Sequence, residues 1–159
     1  MSHEIIAIGI DGSEGSHRAL RWGLREARLR DCAVEAVIAY PAHDAAADHS
    51  SPQGTDAHQR ADEVLRHVVS TVIRDFADPP AISCEVVRGD PIDVLLQVSG
   101  RVDLLVVGSH GISGLRHSAL GSVSEACALL ADCPSVVVPA ATRSGHRNEL
   151  ASVAQTTSA

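Results

Sequence analysis

A series of glycines follows one of the most apolar segments of the chain and precedes a predicted helix. Gly108, Gly111, Gly114 and Gly121 are separated mostly by small or polar residues, and Ser122 comes directly after them. Small residues let backbone N–H groups approach a ligand closely, and the start of a helix adds unpaired donors with partial positive charge. This combination is typical of a phosphate-binding loop.

Several side chains of the same loop can assist an anion. Ser122 can offer its hydroxyl and cap the helix, and Arg116 can add a full charge if it turns inward. His110 and His117 are secondary candidates. The alternative is that glycines after a buried strand only form a tight turn, which would suffice for one glycine but is less satisfactory for four. The spacing is not that of a P-loop, because the chain has no lysine, nor is it the Rossmann fingerprint, which follows the first strand.

The loop resembles the signature of a known family. Its glycines and Ser122 match, position for position, the G-x2-G-x9-G-(S/T) pattern of nucleotide-binding universal stress proteins. The resemblance extends over residues 5–139 and implies a flavodoxin-like domain that binds an adenine nucleotide. Weaker agreement comes from IGIDGS at 8–13, GDP at 89–91 and CPSVVV at 133–138.

The resemblance implies a role for each matching position. Gly9 and Asp11 would contact the adenosine portion of ATP, with Asp11 also a candidate Mg²⁺ ligand, and Ala39 would face adenine with its backbone. Two alternatives stay open, since Asp11 before Gly12 is also suited to capping a turn and Ser16 to capping a helix. The ribose and phosphates would be held by Gly108, Ser109, His110, Gly111, Ile112, Ser113, Gly114, Gly121 and Ser122.

Strands and helices alternate along the chain and would position this loop. The order βαβαβαβαβ, with right-handed crossovers, predicts a flavodoxin-like or Rossmann-like five-stranded parallel sheet in the order 3-2-1-4-5 with helices on both faces. A ligand site is then expected at the carboxyl ends of strands one and four. Hydrophobic patterning predicts strands at residues 4–10, 33–40, 82–87, 103–108 and 134–138.

Capping and breaking residues delimit the predicted helices. The first is expected from residue 16 to 30 with Ser13 or Ser16 as its cap, and a short one follows Asp90, with Pro91 at its first position. Further helices are predicted over about 61–78 and 122–132. Residues 42–55 lack hydrophobic periodicity and are expected to form a mobile loop.

Composition narrows the function classes. The formal charge is -7 and the 13 basic residues are all arginines without a run, which argues against a nucleic-acid partner. The chain has no apolar stretch of the roughly 20 residues needed to span a membrane. Its first four residues do not resemble a signal peptide, so a cytoplasmic location is expected. One domain is expected over residues 1–140, followed by a disordered tail over 141–159.

Cysteine and histidine spacing gives no sign of a metal centre. The four cysteines have no CxxC spacing and are interpreted as small, reduced core residues. The nine histidines are dispersed, without HxxxH or HExxH, and most are expected in loops or facing solvent. The cysteines are Cys32, Cys84, Cys127 and Cys133.

The function predicted is that of a binding and signalling module in the stress response. The resemblance implies ATP as the ligand and a homodimer, and the apolar edge of strand five favours the same pairing. Hydrolysis is expected to be absent or very slow. Two alternatives are a cAMP-binding member of the family and an adenine-nucleotide α-hydrolase-like enzyme, whose SGGxDS-type loop differs from DGSEGS at residues 11–16.

Overall fold

The computed structural model describes residues 4–41, 52–112 and 120–141. Its five strands pair in parallel in the order β3-β2-β1-β4-β5. The predicted sheet and its order are therefore confirmed. The strands are β1 (Ile5–Ile10), β2 (Ala33–Tyr40), β3 (Ile82–Arg88), β4 (Leu104–Gly108) and β5 (Ser135–Val138).

Two pairs of helices cover the sheet on opposite faces. Apolar side chains of α1 (Glu14–Arg30) and α2 (Pro52–Ile73) pack on one face, and those of α3 (Pro91–Ser99) and α4 (Ser122–Leu130) on the other. Because both faces are covered, the inner strands are nearly continuous runs of aliphatic residues. Along β1, Ile6 and Ile8 face α1 and α2, whereas Ala7 faces α3 and α4.

The first helix begins two residues earlier than predicted. Ser13 is its N-cap, and the Ser13 hydroxyl accepts a hydrogen bond from the amide of Ser16 at 3.2 Å. Ser16 lies inside the first turn of α1, where its own hydroxyl donates to the Ser13 carbonyl. The prediction of Ser16 as a cap is therefore wrong, because Ser13 already occupies that position.

Two further helix boundaries differ from the predictions. Helix α2 begins at Pro52, inside the segment predicted as a loop, because proline is well suited to the first turn of a helix. Helix α4 ends at Leu130, and its N-cap is Gly121, so Ser122 is the first helical residue and not the cap. Residues 42–51, where the rest of the predicted loop falls, lie outside the described residues.

The cysteines are not equivalent. Cys32 and Cys127 are buried, as predicted for core residues, and Cys133 is half-buried. Cys84 is exposed, contrary to the prediction, because it lies on β3 at the edge of the sheet. The predicted tail lies outside the described residues except for its first position, Ala141. None of the helices that the structure describes is long and apolar enough to cross a membrane.

Candidate functional site

A cleft opens where the winding of the sheet reverses, at the carboxyl ends of the adjacent strands β1 and β4. Its volume is about 240 Å³. The chain leaves β1 into α1 on one face of the sheet and leaves β4 toward α4 on the other face. Diverging loops at such a point leave a crevice, which is where open α/β sheets bind ligands.

One carboxylate joins the two loops that border the cleft. Asp11 Oδ1 accepts a hydrogen bond from the Ser13 amide at 2.9 Å, and Asp11 Oδ2 accepts one from the Ile112 amide at 3.2 Å. Gly12 has a φ of +84°, a conformation that glycine adopts without steric cost. Asp11 therefore caps the turn after β1, which was one of the two roles predicted for it, and also holds the loop after β4 against that turn.

The backbone of the β4 loop touches the first turn of α1. A Cβ atom placed on Gly108 would lie 2.7 Å from the carbonyl carbon of Gly15, and one placed on Gly15 would lie 2.6 Å from the carbonyl oxygen of His110. Both separations are too short for any side chain. Gly15 was not among the predicted site residues, although a second glycine after Asp11-Gly12 is a signal of close backbone approach.

The other two glycines of the described loop differ in their surroundings. A Cβ on Gly111 would lie 2.6 Å from Asp11 Oδ2, so a side chain there would displace the carboxylate that bonds Ile112. A Cβ on Gly121 would meet its nearest protein atom at 3.4 Å, an ordinary contact, and the φ of Gly121 is -75°. Neither the backbone conformation nor packing against the described residues requires glycine at position 121.

Gly121 begins a helix whose first turn faces the cleft. Within the part of the chain that the structure describes, no side chain caps helix α4, whereas the N-terminus of α1 is capped by Ser13. The cleft is lined by Ser122 and Val123 from that uncapped turn. Unpaired amides and the helix dipole give this end of the cleft the character of an anion site.

The opposite end of the cleft is apolar. Val37 and Ala39 of β2, Leu95 of α3 and Val107 of β4 line it, and a Cβ on Gly9 would lie 3.0 Å from a methyl group of Leu95. Of these residues, only Gly9 and Ala39 were predicted from the sequence. The alternation of side chains along β2 is the signal that would have added Val37, which lies two residues before Ala39 on the same face.

The structure brings most of the predicted ligand residues together. Ser109 is an exception, because it lies behind the cleft wall and is buried. Ser113 and Gly114, with Arg116 and His117, lie outside the described residues. The predicted residues that line the cleft are Gly9, Asp11, Ala39, Gly108, His110, Gly111, Ile112, Gly121 and Ser122.

The sequence model of the universal stress protein family matches residues 3–139 of this chain. The chain belongs to the universal stress protein family. It is 30% identical over 141 residues to the universal stress protein Rv2028c of Mycobacterium tuberculosis, a match that covers 84% of this chain and 47% of the relative. This universal stress protein chain thus spans about half the length of the curated relatives it matches.

Solved structures of universal stress proteins share the fold. One solved in complex with cAMP superposes with a TM-score of 0.68 at 23% identity, covering 87% of this chain and 98% of that one. A family member from Arabidopsis thaliana with AMP bound superposes with a TM-score of 0.55 at 21% identity, covering 89% and 97%. These similarities confirm the flavodoxin-like fold of this universal stress protein.

Proposed function

We propose that this chain binds an adenine nucleotide, with ATP as its ligand, in the cleft at the carboxyl ends of β1 and β4. The observation that carries the proposal is the polarity of the cleft. Its apolar end at β2 and α3 suits a base, and its other end is the uncapped first turn of α4, which suits phosphate. These ends are separated by two strand spacings, about 10 Å.

Gly121 adds a second argument for phosphate at the α4 end. Among the residues that the structure describes, no atom lies closer than 3.4 Å to a Cβ added at Gly121, and the φ of Gly121 is negative, so close packing does not account for this glycine. An absent side chain at the start of a helix leaves the first amides open to a ligand. We propose that the nucleotide phosphate occupies that space.

Magnesium is compatible with the site through one residue. Asp11 uses each carboxylate oxygen once as an acceptor, and such an oxygen keeps a second lone pair. Among the described residues, no group of three His, Cys, Asp or Glu side chains is arranged to hold a metal ion. Asp11 is therefore proposed as a single protein ligand, with nucleotide phosphates and water completing the shell, an arrangement that suits Mg²⁺.

The biological role that we propose is a binding and signalling module of the stress response, acting in the cytoplasm. Phosphoryl transfer needs a positioned base or water-orienting group and a charge clamp. The chain has no lysine, and Asp11 and His110 are the only ionisable side chains among the described residues that line the cleft. We expect ATP turnover to stay below about one per second, the lower end of ordinary enzyme rates.

A cyclic nucleotide is the second candidate ligand, since one of the similar structures was solved in complex with cAMP. The two candidates differ at the phosphate end. ATP carries a polyphosphate that extends past Gly121 and can recruit Mg²⁺, whereas cAMP presents one phosphate closed onto its ribose. Affinity that rises with added Mg²⁺ favours ATP, and affinity for cAMP above that for ATP favours the cyclic ligand.

Calorimetric titration with ATP, AMP, cAMP and GTP tests the proposal. We expect ATP to bind and Gly121→Val to weaken binding by about tenfold or more, a loss of at least 1.4 kcal/mol. Gly100→Val is the matched control, because Gly100 also has a negative φ and ordinary contacts to an added Cβ but does not line the cleft. The ATP affinity of Gly100→Val should equal that of wild type.

Three results would contradict the proposal. Unchanged ATP affinity in Gly121→Val with native circular dichroism removes the phosphate position. Equal affinity for GTP and ATP removes adenine recognition by the apolar end. Phosphate release faster than about one per second, abolished in Gly121→Val, replaces the binding module with an enzyme.

A further inference from the structure

Ser109 lies in the glycine-rich loop but not in the wall of the cleft. Its exposed fraction is 5%, and its backbone and side chain are all used in hydrogen bonds. These bonds run in two directions. One set reaches the start of α4 and the other reaches the chain that leaves β5.

Toward the cleft, the carbonyl of Ser109 fixes the start of α4. It accepts the Gly121 amide at 2.8 Å and the Ser124 hydroxyl at 2.9 Å, and Ser124 is itself 2% exposed. Gly121 is the N-cap of α4. The position of the first turn of α4 relative to the sheet therefore depends on the peptide group after Ser109.

Toward the edge of the sheet, Ser109 holds the end of β5. Its amide donates to the carbonyl of Val138 at 2.9 Å, and its hydroxyl accepts the Ala140 amide at 3.1 Å. The Arg18 guanidinium donates to the carbonyl of Pro139 between them. These bonds determine the course of residues 139–140 as they leave the outermost strand.

The Ser109 hydroxyl also touches a residue of the cleft wall. Its oxygen lies 3.0 Å from Nδ1 of His110, which lines the cleft. A ligand that shifts the His110 ring or the first turn of α4 therefore acts on Ser109, which bonds both. A displacement of Ser109 also changes its bonds to residues after β5, because its amide donates to Val138 and its hydroxyl accepts the Ala140 amide.

We infer that Ser109 is a positioning residue that couples ligand occupancy of the cleft to the segment 139–140 after β5. The inference rests on the proposed nucleotide-binding function. Coupling of this kind is reciprocal, so a change that frees residues 139–140 also weakens nucleotide binding. Because β5 is an edge strand, the coupling would carry the state of the cleft to the margin of the sheet.

The test is amide hydrogen exchange at Ala140, measured by NMR with and without saturating ATP, in wild type and in Ser109→Ala. In wild type we expect ATP to slow this exchange. In Ser109→Ala the amide loses its acceptor and exchanges about fivefold faster, the equivalent of one hydrogen bond, and ATP no longer changes its rate. Calorimetric ATP affinity falls by about fivefold, the low end of typical coupling.

Ser99→Ala is the matched control. The Ser99 hydroxyl is also buried and also accepts a backbone amide, that of Asp132 at 2.9 Å, but its bonds are to Asp132 and Leu96, which do not line the cleft. Ser99→Ala should lose about as much stability as Ser109→Ala. Its ATP affinity, and the slowing of Ala140 amide exchange by ATP, should remain those of wild type. Ser109→Cys, which keeps the size and a weak acceptor, should retain part of the ATP dependence and serves if Ser109→Ala does not fold.

The outcomes separate this inference from the proposed function. If calorimetry shows ATP binding but ATP leaves Ala140 exchange unchanged, or changes it equally in wild type and Ser109→Ala, the coupling is overturned and the binding function stands. If Ser99→Ala has the same effects as Ser109→Ala, the effect is general destabilisation and the inference fails. If none of the tested adenine nucleotides binds wild type, the proposed function fails and the coupling fails with it.

Discussion

Two glycines of the same loop illustrate how one residue type serves packing at one position and a ligand at another. Gly111 packs against the Asp11 carboxylate, whose Oδ2 would lie 2.6 Å from an added Cβ. We predict that Gly111→Ala lowers the free energy of unfolding by about 1–3 kcal/mol, the usual cost of overpacking. Urea unfolding followed by the fluorescence of the single tryptophan, Trp22, measures this.

The cause of that loss can be isolated with a double variant. In Asp11→Ala the carboxylate that would clash is absent, so Gly111→Ala should cost about 1 kcal/mol less there than in wild type. Strictly additive losses would show that the clash lies elsewhere. Gly121→Val should cost no more than about 1 kcal/mol of stability, the loss of a favoured N-cap residue, since its main effect is expected on nucleotide affinity.

At the scale of single elements, the end of α1 carries a strained residue. Asp31 has φ 54° and ψ 48°, the left-handed conformation that favours glycine, and its negative charge lies at the negative end of the helix dipole. We predict that Asp31→Gly raises the free energy of unfolding by about 0.5–1 kcal/mol. Asp31→Asn is the control for the charge effect, because it removes only the charge. A loss of stability in Asp31→Gly would contradict the prediction.

An ion cluster joins β2, β3 and the end of α3. The guanidinium of Arg101 donates to both carboxylate oxygens of Glu35, at 2.8 and 2.6 Å, and also to Glu85. Burial acts to raise the pKa of Glu35, but hydrogen bonds from Arg101 and Glu85 outweigh it and lower that pKa. The hydrogen bond to Glu35 raises the pKa of Glu85, with burial adding to the effect.

These shifts predict a pH-dependent effect of Arg101→Leu. The lowered pKa of Glu35 gives stability that is present above the ordinary Glu pKa of about 4.3 and is lost as pH falls. Arg101→Leu should therefore cost about 1–3 kcal/mol at pH 7, between the values for exposed and buried pairs, and less below pH 4. Urea unfolding at both pH values measures the difference.

Arg21→Leu provides the control for that experiment. Arg21 pairs with Asp75 at 2.8 Å, but both side chains are substantially exposed, at 30% and 49%. Its removal should cost no more than about 1 kcal/mol. An equal loss for Arg101→Leu at the two pH values would show that the lost packing of the arginine stem, not the carboxylates, is responsible.

The strands were predictable from sequence because parallel strands covered on both faces appear as continuous aliphatic runs, as at Ala33–Tyr40. Helix starts were less predictable, because a cap is a local hydrogen bond that the sequence pattern does not specify. Both Ser13 and Ser16 were candidate caps, and only the structure distinguishes them. In the cleft, the place of Leu95 could not be predicted, since it depends on packing between distant elements. Ser109 was predicted as a ligand residue because it belongs to the glycine-rich motif, but it does not line the cleft.

At the scale of the whole molecule, we propose that the outer edge of β5 pairs with a second copy of the chain. The amide of Leu105 donates to the carbonyl of Pro134 and that of Ser109 to Val138, so by alternation the amide of Val137 points away from β4. We predict that Val137→Pro raises the dissociation constant of a homodimer by about 30-fold. Each dimer would lose two hydrogen bonds, one from each copy, and each bond contributes about 1 kcal/mol.

Sedimentation or light scattering at micromolar concentration measures the assembly. Val138→Pro is the contrasting variant, because by the same alternation its amide points toward β4, and it should unfold the protein rather than only separate the subunits.

Leu129 and Leu130 of α4 offer a different candidate interface, since they are 75% and 63% exposed. If Leu129→Asp separates the subunits and Val137→Pro does not, the helix forms the interface; a monomeric wild type would refute the dimer.

The bond between Asp11 and Ile112 joins residues 101 positions apart in the chain. During synthesis, β1 and the turn after it leave the ribosome long before β4 exists, and α4 follows later still. A nucleotide therefore has no binding surface while the first three strands are being made, and it cannot act as a template for them. It can stabilise only the completed domain, so it should slow unfolding far more than it speeds folding.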